Sequence, residues 1–246
     1  VFQNGLAAPR WQGTPQGGPL SPLLANILLD DVDKELERRG HRFCRYADDM
    51  QVYVRSRRAG ERVMASLSDF LESSLRLTVN RDKSAVDRPW NRGYLGYTLT
   101  RHKLPKLTLA KASLQRLMQR VREILKRGRG RHIQRVTEEL SPVLRGWASY
   151  FSLVDVKRPL EVLDQWVRRR LRNLIWRQWK RPRTRRRKLS ALGLNDYRAW
   201  KSAGNGRGPW WNAGALHLRH ALPNRWFAQR GLVSVLDTAR GPSRSS

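Results

Sequence analysis

The chain has 246 residues, with 50 Lys and Arg against 20 Asp and Glu, for a formal net charge of +30. So large an excess of cations points to a phosphate-bearing partner, while the single Cys44 excludes an internal disulfide and a cysteine zinc cluster. No run reaches the ~18 apolar residues of a membrane span and no signal peptide heads the chain, so the sequence predicts an intracellular, cytoplasmic protein with no membrane partner.

The first informative block is Gly13-Thr14-Pro15-Gln16-Gly17-Gly18-Pro19-Leu20-Ser21-Pro22. Gln16 followed by two residues without a Cβ lets the backbone and one amide approach a planar ligand closely. A helix should follow, with Ser21 as N-cap, Pro22 in its first turn, an apolar stripe through Leu24, Ile27, Leu28, Val32 and Leu36, and Gly40 as its stop. Asp30, Asp31 and Asp33 on that helix read as a solvated face. Next, Arg42 to Tyr46 and Met50 to Arg55 alternate with period two, which predicts a hairpin with Asp48 and Asp49 at its tip. Two adjacent carboxylates there suit a polymerase-type metal site, although Asp is also a common turn residue.

Val63, Leu67, Phe70, Leu71 and Leu75 predict an amphipathic helix over 59–75, followed by strands over Leu77 to Asn80 and Tyr94 to Thr100. Beyond Pro105 the periodicity is helical three times over, the third helix starting near Pro159 and stopping at Pro182. On that helix Arg168, Arg169, Arg170, Arg172, Arg177, Lys180 and Arg181 crowd faces not needed for the core, with Trp176 and Trp179 among them. Arg185, Arg186, Arg187 and Lys188 continue the run into a segment expected to be disordered or ordered only by RNA. Residues 1–100 carry 15 Lys and Arg against 12 Asp and Glu, whereas 101–246 carry 35 against 8, so acids to neutralise these cations are scarce. Phosphate contacts should therefore make binding steeply salt dependent, and exposed Trp and Arg planes suit unpaired bases. His217 and His220 read as surface or RNA-contact residues, because no acidic or Cys partner is near in sequence.

Taken in order, these blocks resemble the reverse transcriptases encoded by group II introns. The resemblance implies that the Pro15-Gln16-Gly17-Gly18 block lies against nucleotide and template, and that Tyr46-Ala47-Asp48-Asp49 holds catalytic Mg2+ through Asp48 and Asp49. Gln16, Gly17, Tyr46, Ala47 and Lys83 would then bind the deoxynucleoside triphosphate. Tyr94, Leu95 and Gly96 correspond to the primer grip, and Ser141 to Phe151 resembles the core of the thumb, or maturase domain. The last sixty residues resemble, more loosely, the C-terminal extension of bacterial members without an endonuclease. In the family a third Asp comes from an earlier palm strand, but the twelve residues before Gly13 hold no Asp or Glu. The chain is therefore expected to be the C-terminal part of a longer enzyme, or a truncated or degenerate copy, without fingers and the first half of the palm.

The expected fold is α+β: a partial polymerase palm of antiparallel sheet with helices over 1–104, a three-helix thumb over 105–182 and a basic extension over 183–246. The expected function is RNA-directed DNA synthesis in intron mobility, with a maturase role in splicing and with intron RNA, a DNA primer or target and the missing fingers and palm segment as partners. Alternatives are an RNA-binding maturase without polymerase activity and a nonfunctional remnant. By itself this chain is expected to be inactive, and to be associated with RNA or the nucleoid.

Overall fold

The computed structural model describes residues 2–3, 6–7 and 19–241. It comprises two units, residues 1–94 and 95–246. The described elements are helices and short antiparallel two-stranded ladders, the mixed architecture expected of a partial palm with a helical thumb.

In the first unit β1 (Phe2–Gln3) pairs with β2 (Leu6–Ala7). Helix α1 (Ser21–Arg38) begins one residue earlier than the N-cap expectation: Leu20 occupies the cap position with a helical backbone, and its carbonyl accepts from Leu24 N at 3.0 Å. Ser21 therefore lies inside the first turn rather than at the cap. The C-terminus ends at Gly40 as expected. Its φ of +69° lets Gly40 N reach Glu37 O at 2.8 Å and His41 N reach Leu36 O at 3.0 Å, which satisfies two carbonyls at the helix end.

Strands β3 (Arg42–Tyr46) and β4 (Asp49–Tyr53) form the expected hairpin, with Tyr46 opposite Asp49 and Ala47-Asp48 as its two-residue turn. Helix α2 (Arg57–Ser73) starts on Ser56, whose Oγ accepts from Ala59 N at 3.2 Å. Val32, Leu36 and Leu67 form a small core, against which Phe43, Met50, Val52 and Phe70 pack. Gly60 is required there, since a Cβ would come within 2.6 Å of Val86 Cγ1. The strand expected over Leu77 to Asn80 is absent. Arg76 takes φ +53° and Leu77 N bonds back to Leu71 O at 2.8 Å, so this backbone closes the end of α2 instead of extending a ladder.

The second unit opens with β5 (Tyr97–Leu99) paired to β6 (Leu107–Leu109). Leu95 and Gly96, at φ +50° and +82°, shorten the strand expected from Tyr94. Helices α3 (Lys111–Arg127), α4 (Ile133–Tyr150) and α5 (Arg158–Gln178) are the three expected from periodicity. Leu95 to Leu104, placed by sequence with the palm, group here with these helices. Tyr150 Oη donates to Leu95 O at 3.0 Å, Ser113 Oγ donates to Gly96 O at 3.0 Å, and Leu107 N donates to Asp155 Oδ2 at 2.8 Å.

After α5 the chain departs from expectation. Residues 183–188, expected to run into a disordered or RNA-ordered linker, lie within helix α6 (Pro182–Ala191). Proline starts it, Leu189 is fully buried, and Arg186 pairs with Asp196 of α7 (Asp196–Ala203). Short helices α8 (Pro209–Gly214), α9 (Leu216–Ala221), α10 (Asn224–Ala228) and α11 (Val235–Arg240) follow. Leu189, Leu218, Leu222, Phe227 and Val235 share one core with Leu140, Leu144, Leu160 and Leu171, so the extension packs as part of the thumb. A buried carboxylate pins it, as Asp164 accepts from Ser234 Oγ at 2.6 Å and Val235 N at 2.9 Å.

Candidate active site and nucleic-acid interface

Alternation along β3 and β4 gives the hairpin two faces. Phe43, Arg45, Met50 and Val52 share the inner face, and Cys44, Tyr46, Asp49, Gln51 and Tyr53 the outer. Asp48, in the turn, and Asp49, the first residue of β4, are both exposed, and neither carboxylate is paired with a cation among the described residues. Tyr46 is 65% exposed beside them. Ala47, the first turn residue, holds φ +52°, a conformation that costs a residue with a Cβ about 1–2 kcal/mol.

Sequence reasoning missed what supports this turn. Arg45 Nε and Nη2 grip the Asp33 carboxylate at 2.8 and 2.5 Å, and Nη1 reaches Asn26 Oδ1 at 3.0 Å and Ala47 O at 3.1 Å. Asp33 is thus half-buried and engaged, not part of a solvated face, whereas Asp30 and Asp31 are exposed as expected. A signal was available, because an arginine at an inward position of a half-apolar strand needs an acid beneath it.

Tyr94 lies near the outer face. Burial, then Cys44 and Asp49, push its hydroxyl above the ordinary value of 10.0, and Tyr53, desolvated and bonded to Cys44, is pushed up to about 12. Lys83 is exposed on a turn tied by Arg92 Nη2 to Lys83 O at 2.6 Å. Leu95 and Gly96 belong to the second unit, and Gln16 and Gly17 lie outside the described residues.

Hard oxygen donors, exposed and free of arginine, suit a divalent cation. Asp48 and Asp49 meet that description, but no cluster of three or more His, Cys, Asp or Glu exists among the described residues. They fit as two ligands of a shared site.

The cations expected to meet RNA fall into two groups. Arg172 is a correction to the expected exposed face: it is buried, donates from Nε and Nη2 to Leu222 O at 3.0 and 2.9 Å, and burial lowers its pKa to about 10. Trp176 is likewise fully buried rather than exposed. Arg168 is half-buried 3.9 Å from Asp164, and Arg185 covers the Trp176 ring at 4.5 Å. Arg169 and Arg170 lie on Trp210 at 4.2 and 4.7 Å, while Arg170 and Arg122 lie on Trp166 at 5.1 and 5.4 Å. This stack contains no acid, and burial lowers the Arg170 pKa, helped by Arg122 and Arg177. Arg177, Lys180, Arg181, Arg187 and Lys188 remain exposed without an acidic partner among the described residues; Arg186 is exposed but paired. His217, expected at the surface, is half-buried between Trp176 and Trp211, and His220 is exposed. No described helix is long and apolar enough to cross a membrane.

Two family models match. Residues 2–99 match the reverse transcriptase (RNA-dependent DNA polymerase) model, and residues 114–193 match the group II intron maturase-specific domain. Similar curated proteins include Protein YkfC of Escherichia coli strain K12, 30% identical over 39% of this chain and 35% of the relative. Another is the Retron Ec86 reverse transcriptase of Escherichia coli, 27% identical over 58% of this chain and 42% of the relative. The chain spans less than half the length of each.

Proposed function

Because the chain belongs to the reverse transcriptase and maturase family of group II introns, we propose that it supplies the second half of the palm and the thumb of an RNA-directed DNA polymerase. The family uses divalent metal ions. Here Mg2+ is the proposed ion and Asp48 its stronger ligand, with Asp49 weaker or indirect because its strand position turns it toward the face of Tyr46. When bound, the ions would lower the pKa of the primer 3′ hydroxyl and offset charge on the departing pyrophosphate. The chain's own groups bind and orient. Tyr46 and Ala47 border the nucleotide, Gln16 and Gly17 approach it through amide and backbone, and Lys83 brings a positive charge to its phosphates. Tyr94, Leu95 and Gly96 hold the primer. The exposed cations Arg177, Lys180, Arg181, Arg187 and Lys188 meet intron RNA, and the protein works in the cytoplasm on RNA or at the nucleoid.

The observation that carries this reading is the exposed Asp48–Asp49 pair, free of cations among the described residues, on a turn tied to α1. A fingers and palm segment with a further Asp completes the site. Supplying such a segment in trans or by fusion should give Mg2+-dependent primer extension on an RNA template. Asp48→Asn should abolish that extension, and near-normal extension by the variant would overturn the assignment. A second reading, RNA binding in splicing without polymerisation, is favoured by the concentration of positive charge in 101–246 and needs no metal chemistry. Restored splicing by the Asp48→Asn protein would separate the two roles.

A further inference from the structure

Arg45 is a cation on the inner, apolar face of the hairpin, where an unpaired charge is strongly unfavourable. Its partners Asn26 and Asp33 stand seven residues apart, two turns along one face of α1, so one planar guanidinium spans a length of helix. Packing of α1 on the hairpin would need nothing more. Yet Arg45 Nη1 also donates to Ala47 O at 3.1 Å, within the turn itself. Ala47 is the residue at φ +52°, and Asp48 follows it directly. A left-handed alanine persists only where its surroundings determine it, and the bond to its carbonyl restricts the peptide unit that joins Ala47 to Asp48.

We propose that Arg45 is a positioning residue for the active-site turn: anchored by Asp33 and Asn26, it holds Ala47 in the left-handed conformation and thereby fixes the direction of the Asp48 carboxylate. Arg45 touches neither nucleotide nor metal in this role. Its consequence for metal affinity rests on the reading of Asp48 as a ligand, whereas the ordering of the turn does not.

The experiment is NMR on the full chain, with 15N order parameters at Ala47 and Asp48 compared with those at Phe43 and Val52 in the ladder. In the wild type all four should be near 0.85, about the value of rigid backbone. Arg45→Gln should lower Ala47 and Asp48 to about 0.6 while the ladder stays rigid. Arg45→Lys keeps a charge against Asp33 but loses the fork, and should show the same split with an intact hairpin. A turn that stays rigid in both variants overturns the proposal. So does loosening of turn and ladder together in both, which would make the contact one of packing alone.

Mn2+ as a paramagnetic probe reads the second step. It should broaden the amides of Asp48 and Asp49, and Arg45→Gln should weaken that binding about tenfold. Unchanged affinity beside a loosened turn would overturn the directing role. No broadening in the wild type would instead overturn the metal-site reading, leaving the order measurement as it stands.

Discussion

At the scale of single residues, His217 makes the second unit sensitive to acid. Its ring lies between Trp176 and Trp211, its buried Nε2 has no partner among the described residues, and burial lowers its pKa below the ordinary 6.5. Arg185 and Arg207 cover those two tryptophans, so a proton on His217 would add a third positive charge to the stack. Between the folded pKa and 6.5 the unfolded chain binds more protons than the folded one. Stability should therefore fall as pH drops below 6.5, by at most about 1.4 kcal/mol per pH unit from this group. Urea midpoints at several pH values should show that slope, and His217→Gln should flatten it; an unchanged slope assigns the effect elsewhere. Arg172→Met keeps the bulk of the side chain but leaves Leu222 O without its donors, a loss of about 1–3 kcal/mol in the same assay. Neither role was legible in sequence. A run of arginines looks like a solvated face until the chain that covers it is known, and Leu222 lies fifty residues away. The hairpin that carries Asp48 and Asp49 was legible, because its alternation is local and shows in ten residues, although its turn falls at Ala47-Asp48 and leaves Asp49 on β4.

At the scale of elements, the same distinction decides what sequence reveals. The thumb helices α3, α4 and α5 declare themselves by an apolar stripe every three to four residues, and the bounds expected for α5, near Pro159 and at Pro182, compare with Arg158–Gln178. Helix α6 carries no such stripe. Arg183, Arg185, Arg186, Arg187 and Lys188 surround one apolar anchor, Leu189, which is fully buried, so the helix is stabilised by tertiary contact. The strand expected at Leu77 failed for the converse reason, since alternation is present but no neighbouring strand pairs with it among the described residues. Leu189→Ala should destabilise the second unit by about 2–5 kcal/mol in urea unfolding. A loss under about 0.5 kcal/mol would show that α6 does not depend on that anchor.

At the scale of the whole molecule, charge separates the two functions that the family joins. Residues 1–100 are close to neutral, while 101–246 hold 35 Lys and Arg against 8 Asp and Glu, so electrostatic attraction for RNA needs no intact active site. Phosphoryl transfer does need one, because it depends on complete positioning of both metals, and no group of three or more His, Cys, Asp or Glu side chains is gathered among the described residues. The purified chain should thus bind a structured intron RNA without copying it. Its affinity should fall by orders of magnitude between roughly 50 and 200 mM salt, as added salt reduces the entropic gain from counterions released when the protein binds. Many cations of α5 are engaged by tryptophans and carbonyls, so the slope should respond to the exposed ones. Replacing Lys180, Arg181, Arg187 and Lys188 with Gln should reduce the log–log slope by roughly 0.7–0.9 for each phosphate that is no longer neutralised, with the fold intact by circular dichroism. Equal flattening by Arg172→Gln alone would contradict the division between buried and exposed cations, and Mg2+-dependent extension by the unsupplemented chain would contradict the incomplete site.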